Sequence, residues 1–352
     1  MAPLAYQESY DNSGLLVGDP EAEISSALIC LDSTEAVVDE AIEKGCNLII
    51  AHHPIVFSGL KSFTGKNHIE KTVIKAIKKD IAIYAIHTNL DNVHVGVNKR
   101  ICDKLELKNT KILAQKHNLL RKLVVFCPTG NSTEVKEAIF AAGAGEIGNY
   151  DHCSFTLQGE GTFRGNEDSN PTIGEQNELK KVKEDRMEFL YPVQKESRIL
   201  SALFSAHPYE EVAYDLYPIS NAWQEVGSGM IGELESEMPA MDFLKKIKTV
   251  FGAGCVRHTD VHKERIKKVA VCGGSGSFLL KNAINAGADI FLSADFKYHQ
   301  FFDAEGKIII ADIGHYESEQ FTSELIQEFL SEKIFNFATY LSQVKTNPIN
   351  YI

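Results

Sequence analysis

The sequence predicts an α/β protein in which a mostly parallel sheet is layered with helices and is interrupted by an inserted α+β, ferredoxin-like domain. Three observations predict this architecture. Short apolar runs alternate with amphipathic helical patterns at both ends of the chain, which is typical of βαβ units. The middle of the chain has the order strand–helix–strand twice. The length of 352 residues exceeds one compact core and suits two or three domains.

The first third of the chain contains three predicted strands, each followed by a polar turn and a helical pattern. The apolar runs have the length of strands, and the segments between them have apolar residues at helical spacing. The first helix follows a Ser or Thr cap and ends at a glycine. In chain order the segments are strand "AEISSALICLD", helix "STEAVVDEAIEKG", strand "NLIIAHH", helix "HIEKTVIKAIKKD", strand "IAIYAIHTNLD" and helix "VGVNKRICDKLEL".

The last third repeats this alternation, so we expect the two thirds to be halves of one α/β layer structure. Its first strand enters a glycine-rich turn, and a long helix with a Ser cap closes the series. In chain order the segments are strand "KKVAVCGGSGS", helix "FLLKNAINAG", strand "ADIFLSAD", strand "KIIIADIGH" and helix "SEQFTSELIQEFLSEKI".

The middle third predicts a separate domain of about 100 residues, which is the size of a small ferredoxin-like unit. Its polar stretch "NEDSNPTIGEQNELKKVKED" is predicted to be an exposed hairpin or loop. We place the inserted domain at 118–222, between the two halves of the α/β domain at 1–117 and 223–352. Its segments are strand "RKLVVFCPTG", helix "STEVKEAIFAAGAG", strand "CSFTLQGEGTFRG", strand "RMEFLYPV", helix "ESRILSALFSAHPYEE" and strand "VAYDLYPI".

Composition excludes several classes of function. The formal net charge of −12 argues against bulk nucleic-acid binding and against anionic membranes, since both require clustered Lys and Arg. No apolar run is long enough to span a bilayer, and the start "MAPLAYQESY" lacks the features of a signal peptide. The seven cysteines have no C-x-x-C spacing, so we expect reduced packing residues in a cytoplasmic protein.

Two adjacent histidines end the second predicted strand. Neighbouring side chains of a regular strand point to opposite faces, so His52 and His53 could not both turn toward one ion. Pro54 favours an extended conformation at His53 and marks the change from strand to loop. The pair therefore fits two neighbouring ions, one for each imidazole, better than one shared ion.

Further metal-binding side chains follow other predicted strands. His87 and Asp91 come after the third strand, while His315 and Glu319 come after the last one and are four residues apart, on one helix face. We expect convergence, because strand ends of an open α/β sheet line its ligand crevice. A mixed imidazole and carboxylate set suits Zn, Mn, Fe or Ni, and two ions about 3.5–4 Å apart could activate water for hydrolysis. The predicted metal ligands are His52, His53, Asp91, His315 and Glu319.

Two histidines, His87 and His299, are candidates for proton transfer. His87 can be a general acid or base, a group that orients a metal ligand, or the polar end of a strand. The segment "SADFKYHQ" places Asp295, Lys297 and His299 after another predicted strand. These three residues fit either substrate contact and proton transfer or a helix cap with solvated charges.

Two other motifs favour structural roles. Backbone amides of "CGGSGS" could hold a phosphate, but the segment lacks the Lys and Ser or Thr of a P-loop, which favours a tight strand-to-helix turn. "AHPYEE" contains His207, Glu210 and Glu211 at the exit of a predicted helix, where we expect surface packing. The sequence has no Gly-x-Ser-x-Gly motif of a serine hydrolase.

Seven ordered motifs resemble those of the Nif-three-like family, whose members are often named type-two homologues of GTP cyclohydrolase I. The resemblance runs from Tyr10 to the C-terminal "TNPINYI", nearly the full chain. The motifs are "YDNSGLLVGD", "AHHPIVFSGLKSF", "IHTNLDNVHVGVN", "AHPYEEVAYDLYP", "GSGSF", "GADIFLSADFKYH" and "IADIGHYESE".

The resemblance implies a two-part α/β domain with a dinuclear metal site, an inserted domain similar to PII and CutA proteins, and a ring-like homohexamer. Matched residue by residue, the family's ligands are the five side chains that the strand-end argument selects. Two departures are notable. Nine residues precede Tyr10 where the family usually has a further helix, so we expect a truncated or wrongly assigned start. Tyr10 itself stands where the family commonly has Trp.

Two functions from different classes fit these features. The first is a metal-dependent hydrolase for a nucleotide or another small phosphate- or purine-containing molecule, including GTP, whose ring opening adds water and releases formate. The second is a metal-responsive regulatory or small-molecule-binding hexamer without turnover, in which the inserted domain senses a ligand or joins subunits. An enzyme loses turnover when a metal ligand is removed, whereas a regulator binds metal without turnover.

Overall fold

The computed structural model describes residues 1–352 and contains fifteen strands and ten α-helices. The strands are β1 (Gly14–Val17), β2 (Ser26–Cys30), β3 (Leu48–Ala51), β4 (Ala82–Ala85), β5 (Lys108–Lys116), β6 (Leu120–Pro128), β7 (Ser154–Phe163), β8 (Lys180–Pro192), β9 (Tyr214–Ile219), β10 (Trp223–Pro239), β11 (Arg257–His258), β12 (Arg265–Ser275), β13 (Ile290–Ala294), β14 (Ile309–Asp312) and β15 (Ala338–Leu341). The helices are α1 (Glu35–Glu43), α2 (His68–Lys78), α3 (Thr88–Asp91), α4 (Val97–Lys104), α5 (Ser132–Ala141), α6 (Glu196–Ala206), α7 (Ala240–Val250), α8 (Leu280–Asn285), α9 (His315–Glu319) and α10 (Thr322–Lys333).

The chain divides into two compact units. The first contains residues 1–115 together with 225–352, and the second contains residues 116–224. The inserted domain that the sequence predicts, residues 118–222, lies within the second unit. No helix in the structure is both long and apolar enough to cross a membrane.

The first sheet of the larger unit has the strand order β1-β4-β3-β2-β15. Strands β4, β3, β2 and β15 run parallel to their neighbours, and β1 is an antiparallel edge strand. Thr34 caps helix α1: its hydroxyl oxygen accepts a hydrogen bond from the backbone N–H of Val37 at 3.3 Å, as the predicted Ser or Thr cap requires. Apolar side chains of these strands, such as Leu28, form one core with side chains of the helices, such as Val37 of α1 and Val73 of α2.

A second sheet of the same unit has the order β11-β14-β13-β12-β10-β5. Strands β12, β13 and β14 are parallel, as the alternation in the last third predicts, while β10 and β11 are antiparallel to their neighbours. The two thirds therefore form two sheets and not one continuous sheet, and they exchange one strand each, since β15 joins the first sheet and β5 the second. The 17-residue strand β10, which no sequence pattern predicts, covers one side of β12 and thereby closes the parallel part of the second sheet.

The sequence predicts one long helix with Ser318 as its cap, and this prediction is wrong at the start of the helix. The segment forms two helices, α9 and α10, and the residue that precedes α10 is Phe321, which makes no side-chain cap. The Ser318 hydroxyl instead donates to the carbonyl of His315 at 2.8 Å and accepts from the backbone N–H of Gly274 at 2.9 Å. Ser318 thus ties α9 to the end of β12, which fixes the helix that carries His315 and Glu319.

The smaller unit has the element order β-α-β-β-α-β that the sequence predicts. Its antiparallel sheet has the strand order β7-β8-β6-β9, and helices α5 and α6 contribute to its core. Buried residues such as Leu123, Phe189 and Leu203 form this core, which is separate from those of the two larger sheets. Residues 166–179 of the polar stretch lie in a long loop between β7 and β8, as predicted, whereas its last six residues belong to β8, which begins at Lys180.

Candidate metal centre

The structure brings all five predicted ligands together at strand ends of the larger unit. Glu319 is the central side chain: its Oε2 lies 2.9 Å from His53 Nε2 and 3.1 Å from His315 Nε2. Its other oxygen, Oε1, lies 3.8 Å from His52 Nε2. His52 Nε2 is also 3.6 Å from Asp91 Oδ1. We call these five residues the metal-ligand cluster, after the role that the sequence predicts for them.

Local structure explains how adjacent histidines reach one cluster. Strand β3 ends at Ala51, but the backbone N–H groups of His52 and His53 still donate to the carbonyls of Cys30 and Leu31. Their side chains diverge at this point, and the two ring centroids are 4.9 Å apart. Each imidazole consequently meets a different oxygen of the same carboxylate.

A glycine that lies close to Glu319 leaves the space that its carboxylate needs. Gly274, at the end of β12, has a φ of +60°, and a Cβ atom there would lie 2.3 Å from Glu319 Oε1. Glu319 is only 3% exposed, so the carboxylate fills the space that this glycine leaves open. The "CGGSGS" segment therefore makes room for a buried carboxylate, which is a role that neither sequence-based alternative included.

Every ligand imidazole is oriented by a bond at its Nδ1 atom. His53 Nδ1 lies 2.7 Å from Asp32 Oδ1, His315 Nδ1 lies 2.7 Å from Asp295 Oδ2, and His52 Nδ1 lies 2.9 Å from a backbone carbonyl. An acceptor at Nδ1 fixes the tautomer in which Nε2 is free to bind a metal, and it increases the basicity of the ring. This arrangement is typical of metal-binding histidines.

Sequence reasoning missed the roles of three carboxylates around the cluster, those of Asp11, Asp32 and Asp295. Asp32 lies two residues after the end of β2 and Asp295 follows β13 directly, so the signal in the sequence is their position after strand ends. For Asp295 the sequence predicts substrate contact and proton transfer or a helix cap, whereas the structure places it against His315; this hydrogen bond lowers the pKa of Asp295 and keeps it an ionised acceptor.

Two buried polar atoms of the cluster have no hydrogen-bond partner, His52 Nε2 and Asp91 Oδ1. Such atoms are costly unless an ion or a water completes their environment. Candidate ligand atoms of His52, His53 and Glu319 also lie within 4.8 Å of one another. The residues present therefore fit a divalent metal ion bound by imidazole and carboxylate.

Electrostatics in the metal-free cluster favour bound protons. Burial alone would lower the pKa of His53, but hydrogen bonds with Asp32 and Glu319 outweigh it and raise that pKa to about 9. Burial also opposes protonation of His315, yet the Glu319 charge and the Asp295 hydrogen bond raise its pKa to about 11. Burial and the nearby Glu319 charge raise the pKa of Asp91 to about 8. The pKa of Glu319 is held well below its usual range by its imidazole neighbours, which outweigh its burial.

These shifts predict that metal binding releases protons. At pH 7 the raised pKa values leave His53, His315 and Asp91 protonated, so a metal ion must displace those protons. We expect the apparent affinity for Zn²⁺ or Mn²⁺ to rise between pH 6 and pH 9, with about one or more protons released per ion at pH 7. Calorimetry in buffers with different ionisation enthalpies measures that number; an affinity independent of pH would contradict the assignment.

The two candidate proton-transfer histidines are placed differently. His87 lies beside the cluster: its ring centroid is 5.4 Å from that of His52 and 5.5 Å from that of His53. Its Nδ1 lies 2.7 Å from Asp11 Oδ1. His299 is exposed on a short 3₁₀-helix, where its ring lies beside Tyr298 and Phe302, and the structure does not bring it into the cluster.

Two cavities give access to the cluster, and His87 and His315 line both of them. The smaller cavity, of about 210 Å³, is lined by polar side chains such as Asn98 and also by the rings of Tyr10 and Phe278. The larger cavity, of about 370 Å³, is lined by His53 and by apolar and aromatic side chains. These are Leu31, Pro54, Phe57, Tyr316, Pro348 and Ile349. The cluster can therefore be reached both by water and by a molecule with an apolar or planar part.

Comparisons with known proteins agree with this picture. A profile of the Duf34/NIF3 family (NGG1p interacting factor 3) matches residues 1–348. The chain is 40% identical to a "GTP cyclohydrolase 1 type 2 homolog" of Halalkalibacterium halodurans over 97% of this chain and 93% of the relative. It is 37% identical to the protein of that name from Bacillus subtilis, over 100% and 95% of the two chains. The crystal structure of a Bacillus cereus protein related to NIF3 superimposes with a TM-score of 0.87 at 38% identity, covering 100% and 96%.

Proposed function

Because the chain belongs to the Duf34/NIF3 family, we propose that it binds two divalent metal ions at the metal-ligand cluster and hydrolyses a small phosphate- or purine-containing molecule. One observation supports this proposal most strongly. The two oxygens of the buried Glu319 carboxylate face different imidazoles, with Oε1 toward His52 and Oε2 toward His53 and His315. A carboxylate in that position suits two neighbouring ions.

The distances suggest how the ligands divide between the ions. His53 and His315 share Glu319 Oε2, and their Nε2 atoms are 3.3 Å apart, so we assign both to one ion. His52 lies nearer to Asp91 Oδ1 and Glu319 Oε1, so we assign these atoms to the second ion. Glu319 is the proposed bridge.

Two bound ions would supply Lewis-acid activation of water and of a substrate oxygen. The side chains of the protein would transfer protons and orient the metal-binding imidazoles. The Asp11 carboxylate holds His87 through Nδ1, which leaves the second ring nitrogen of His87 to accept or deliver a proton at the cavity walls. Asp32 and Asp295 keep the imidazoles of His53 and His315 in the metal-binding orientation.

The substrate class follows from the larger cavity and from the relatives. Its walls include the ring of Phe57 and the apolar side chain of Ile349, against which a planar ring could pack, together with His53, His87 and His315 of the proposed reacting centre. The curated relatives carry the name of a GTP cyclohydrolase homologue, which makes GTP the first substrate to test. Opening of its purine ring would consume water and release formate.

The proposal predicts turnover that depends on the cluster. Protein loaded with Zn²⁺ or Mn²⁺ is expected to release formate from GTP, or phosphate from a panel of nucleotides and phosphoesters, whereas Glu319→Gln is expected to lose at least about 99% of this activity. Formate and phosphate assays with the two proteins side by side measure this difference. Two bound ions without turnover on any compound would favour the metal-responsive regulator instead.

The assembly and the character of the smaller unit are also proposals. Its β-α-β-β-α-β order and the strand order β7-β8-β6-β9 support a PII/CutA-like domain. The family resemblance supports a homohexamer. Light scattering coupled to size-exclusion chromatography tests that assembly, since six chains per particle are expected.

A further inference from the structure

The smaller unit contains a cavity of about 550 Å³ whose residues take no part in the metal-ligand cluster. Its walls come from the ends of β6, β7 and β8, from the loop that follows β7, and from the turn that follows α6. Small-molecule sites in proteins are typically concave, of about 300–1,000 Å³, and contain a few convergent polar groups. The size of this cavity is within that range.

The turn after α6 is held in place by hydrogen bonds of a buried histidine. This differs from the surface packing that the sequence predicts for the segment. His207 is 7% exposed; its Nε2–H donates to the carbonyl of Phe126 at 3.0 Å, and its Nδ1 accepts from the backbone N–H of Tyr209 at 3.2 Å. Both bonds together require the neutral ring, and burial lowers the pKa of His207 accordingly. The turn therefore presents Tyr209 at a fixed position, where its ring meets that of Phe163 edge-on at 5.8 Å.

The long loop between β7 and β8 is tied to the same turn. The backbone N–H of Asn170 donates to Glu210 Oε1 at 2.7 Å, and the Thr172 hydroxyl donates to the carbonyl of Pro208 at 2.8 Å. These hydrogen bonds attach the loop along one side of the cavity. The loop and the turn after α6 therefore both contribute walls to it.

A carboxylate is positioned inside the cavity. The Tyr209 hydroxyl donates to Glu184 Oε1 at 3.0 Å. A Cβ atom on Gly161, on the facing strand β7, would lie 2.0 Å from Glu184 Oε2, so the missing side chain of this glycine provides the space that the carboxylate occupies. The hydroxyl fixes one oxygen of Glu184 while the other remains available to a ligand.

The charges of the lining residues favour one class of ligand. Glu184, Glu210 and Glu211 are three carboxylates, and Arg164 is the single Lys or Arg in the lining. A phosphate or carboxylate ligand would be repelled by this set. An amine or amidine would gain charge-assisted hydrogen bonds, and the rings of Phe163 and Tyr209 would add cation–π attraction.

We propose that this cavity is a binding site for a small organic cation, namely an amine or amidine carried on an aromatic or apolar body. Glu184 is the anionic anchor, Tyr209 orients it, and the aromatic rings hold the apolar body. The site is independent of the proposed hydrolase activity, because none of its residues belongs to the metal-ligand cluster.

Benzamidine is a suitable probe for the full-length protein, with neutral benzamide and anionic benzoate as isosteric controls. Calorimetry or ligand-observed NMR is expected to detect benzamidine binding, with benzamide and benzoate at least about tenfold weaker. Glu184→Gln is expected to weaken benzamidine about tenfold or more, and Tyr209→Phe, which keeps the ring, several-fold.

Glu160→Gln is the matched control, because Glu160 is an exposed carboxylate on β7 that pairs with Lys181 at 2.9 Å and does not line the cavity. Its benzamidine affinity is expected to equal that of the wild type. The affinity is also expected to persist in Glu319→Gln, which separates this site from the metal cluster. Absence of benzamidine binding, equal binding of benzoate, or full binding by Glu184→Gln would overturn the proposal.

Discussion

Replacing Glu319 by glutamine is expected to remove both of the proposed metal ions, because this one carboxylate lies next to the imidazoles of His52, His53 and His315. Glutamine has nearly the same shape, but it has no charge and offers an N–H₂ group where one oxygen was. Loss of an outer partner of a ligand typically lowers metal affinity about 10–100-fold, so loss of a bridging ligand should lower it by about 100-fold or more.

Elemental analysis and Zn²⁺ titration measure the effect of Glu319→Gln. Glu317→Gln is the matched control: Glu317 is another buried carboxylate of α9, and its Oε1 accepts from Asn347 Nδ2 at 3.1 Å outside the cluster. The control should retain its metal, and circular dichroism should show both variants folded. Wild-type metal content in Glu319→Gln would contradict the bridging role.

Replacing His315 by alanine is expected to remove one ion and leave the other. His315 and His53 are assigned to the ion at Glu319 Oε2, whereas His52 and Asp91 lie on the opposite side of the carboxylate. Metal content should therefore fall from about two ions per chain to about one, and any hydrolytic turnover should be lost. The fold should remain intact, since His315 is a partly exposed residue at the start of α9.

The control for His315→Ala is His299→Ala. His299 is exposed and its ring contacts are with Tyr298 and Phe302 only, so its removal should leave metal content unchanged. The same experiment checks the placement of His299 outside the centre. Unchanged metal content in His315→Ala would remove His315 from the ligand set.

The sequence was sufficient to predict the elements that carry the cluster. Apolar runs located β2, β3, β4, β13 and β14, and the convergence of strand ends placed five side chains near one another. His52, His53 and Asp91 follow strands of the first sheet, whereas His315 and Glu319 follow β14 of the second, so strand ends of two sheets meet at the cluster, and not those of the single sheet that the sequence predicts. The assignment of the five residues as metal ligands stays a prediction that the variants above test.

Other features depend on contacts that no local pattern encodes. The division into two sheets rests on the long strand β10, and the orientation of the imidazoles rests on Asp32 and Asp295, which are far from their partners in sequence. The role of Gly274 rests on its 2.3 Å approach to Glu319 Oε1. Ser318, which reads as a helix cap, bonds across elements instead.

The number of metal ions per chain tests directly whether the cluster binds two divalent ions. Elemental analysis should be made on protein purified without added metal and without a His-tag, and repeated after reconstitution with Zn²⁺ or Mn²⁺. About two ions per chain are expected if Glu319 bridges two ions as proposed. A protein that holds no ion even after reconstitution would contradict it.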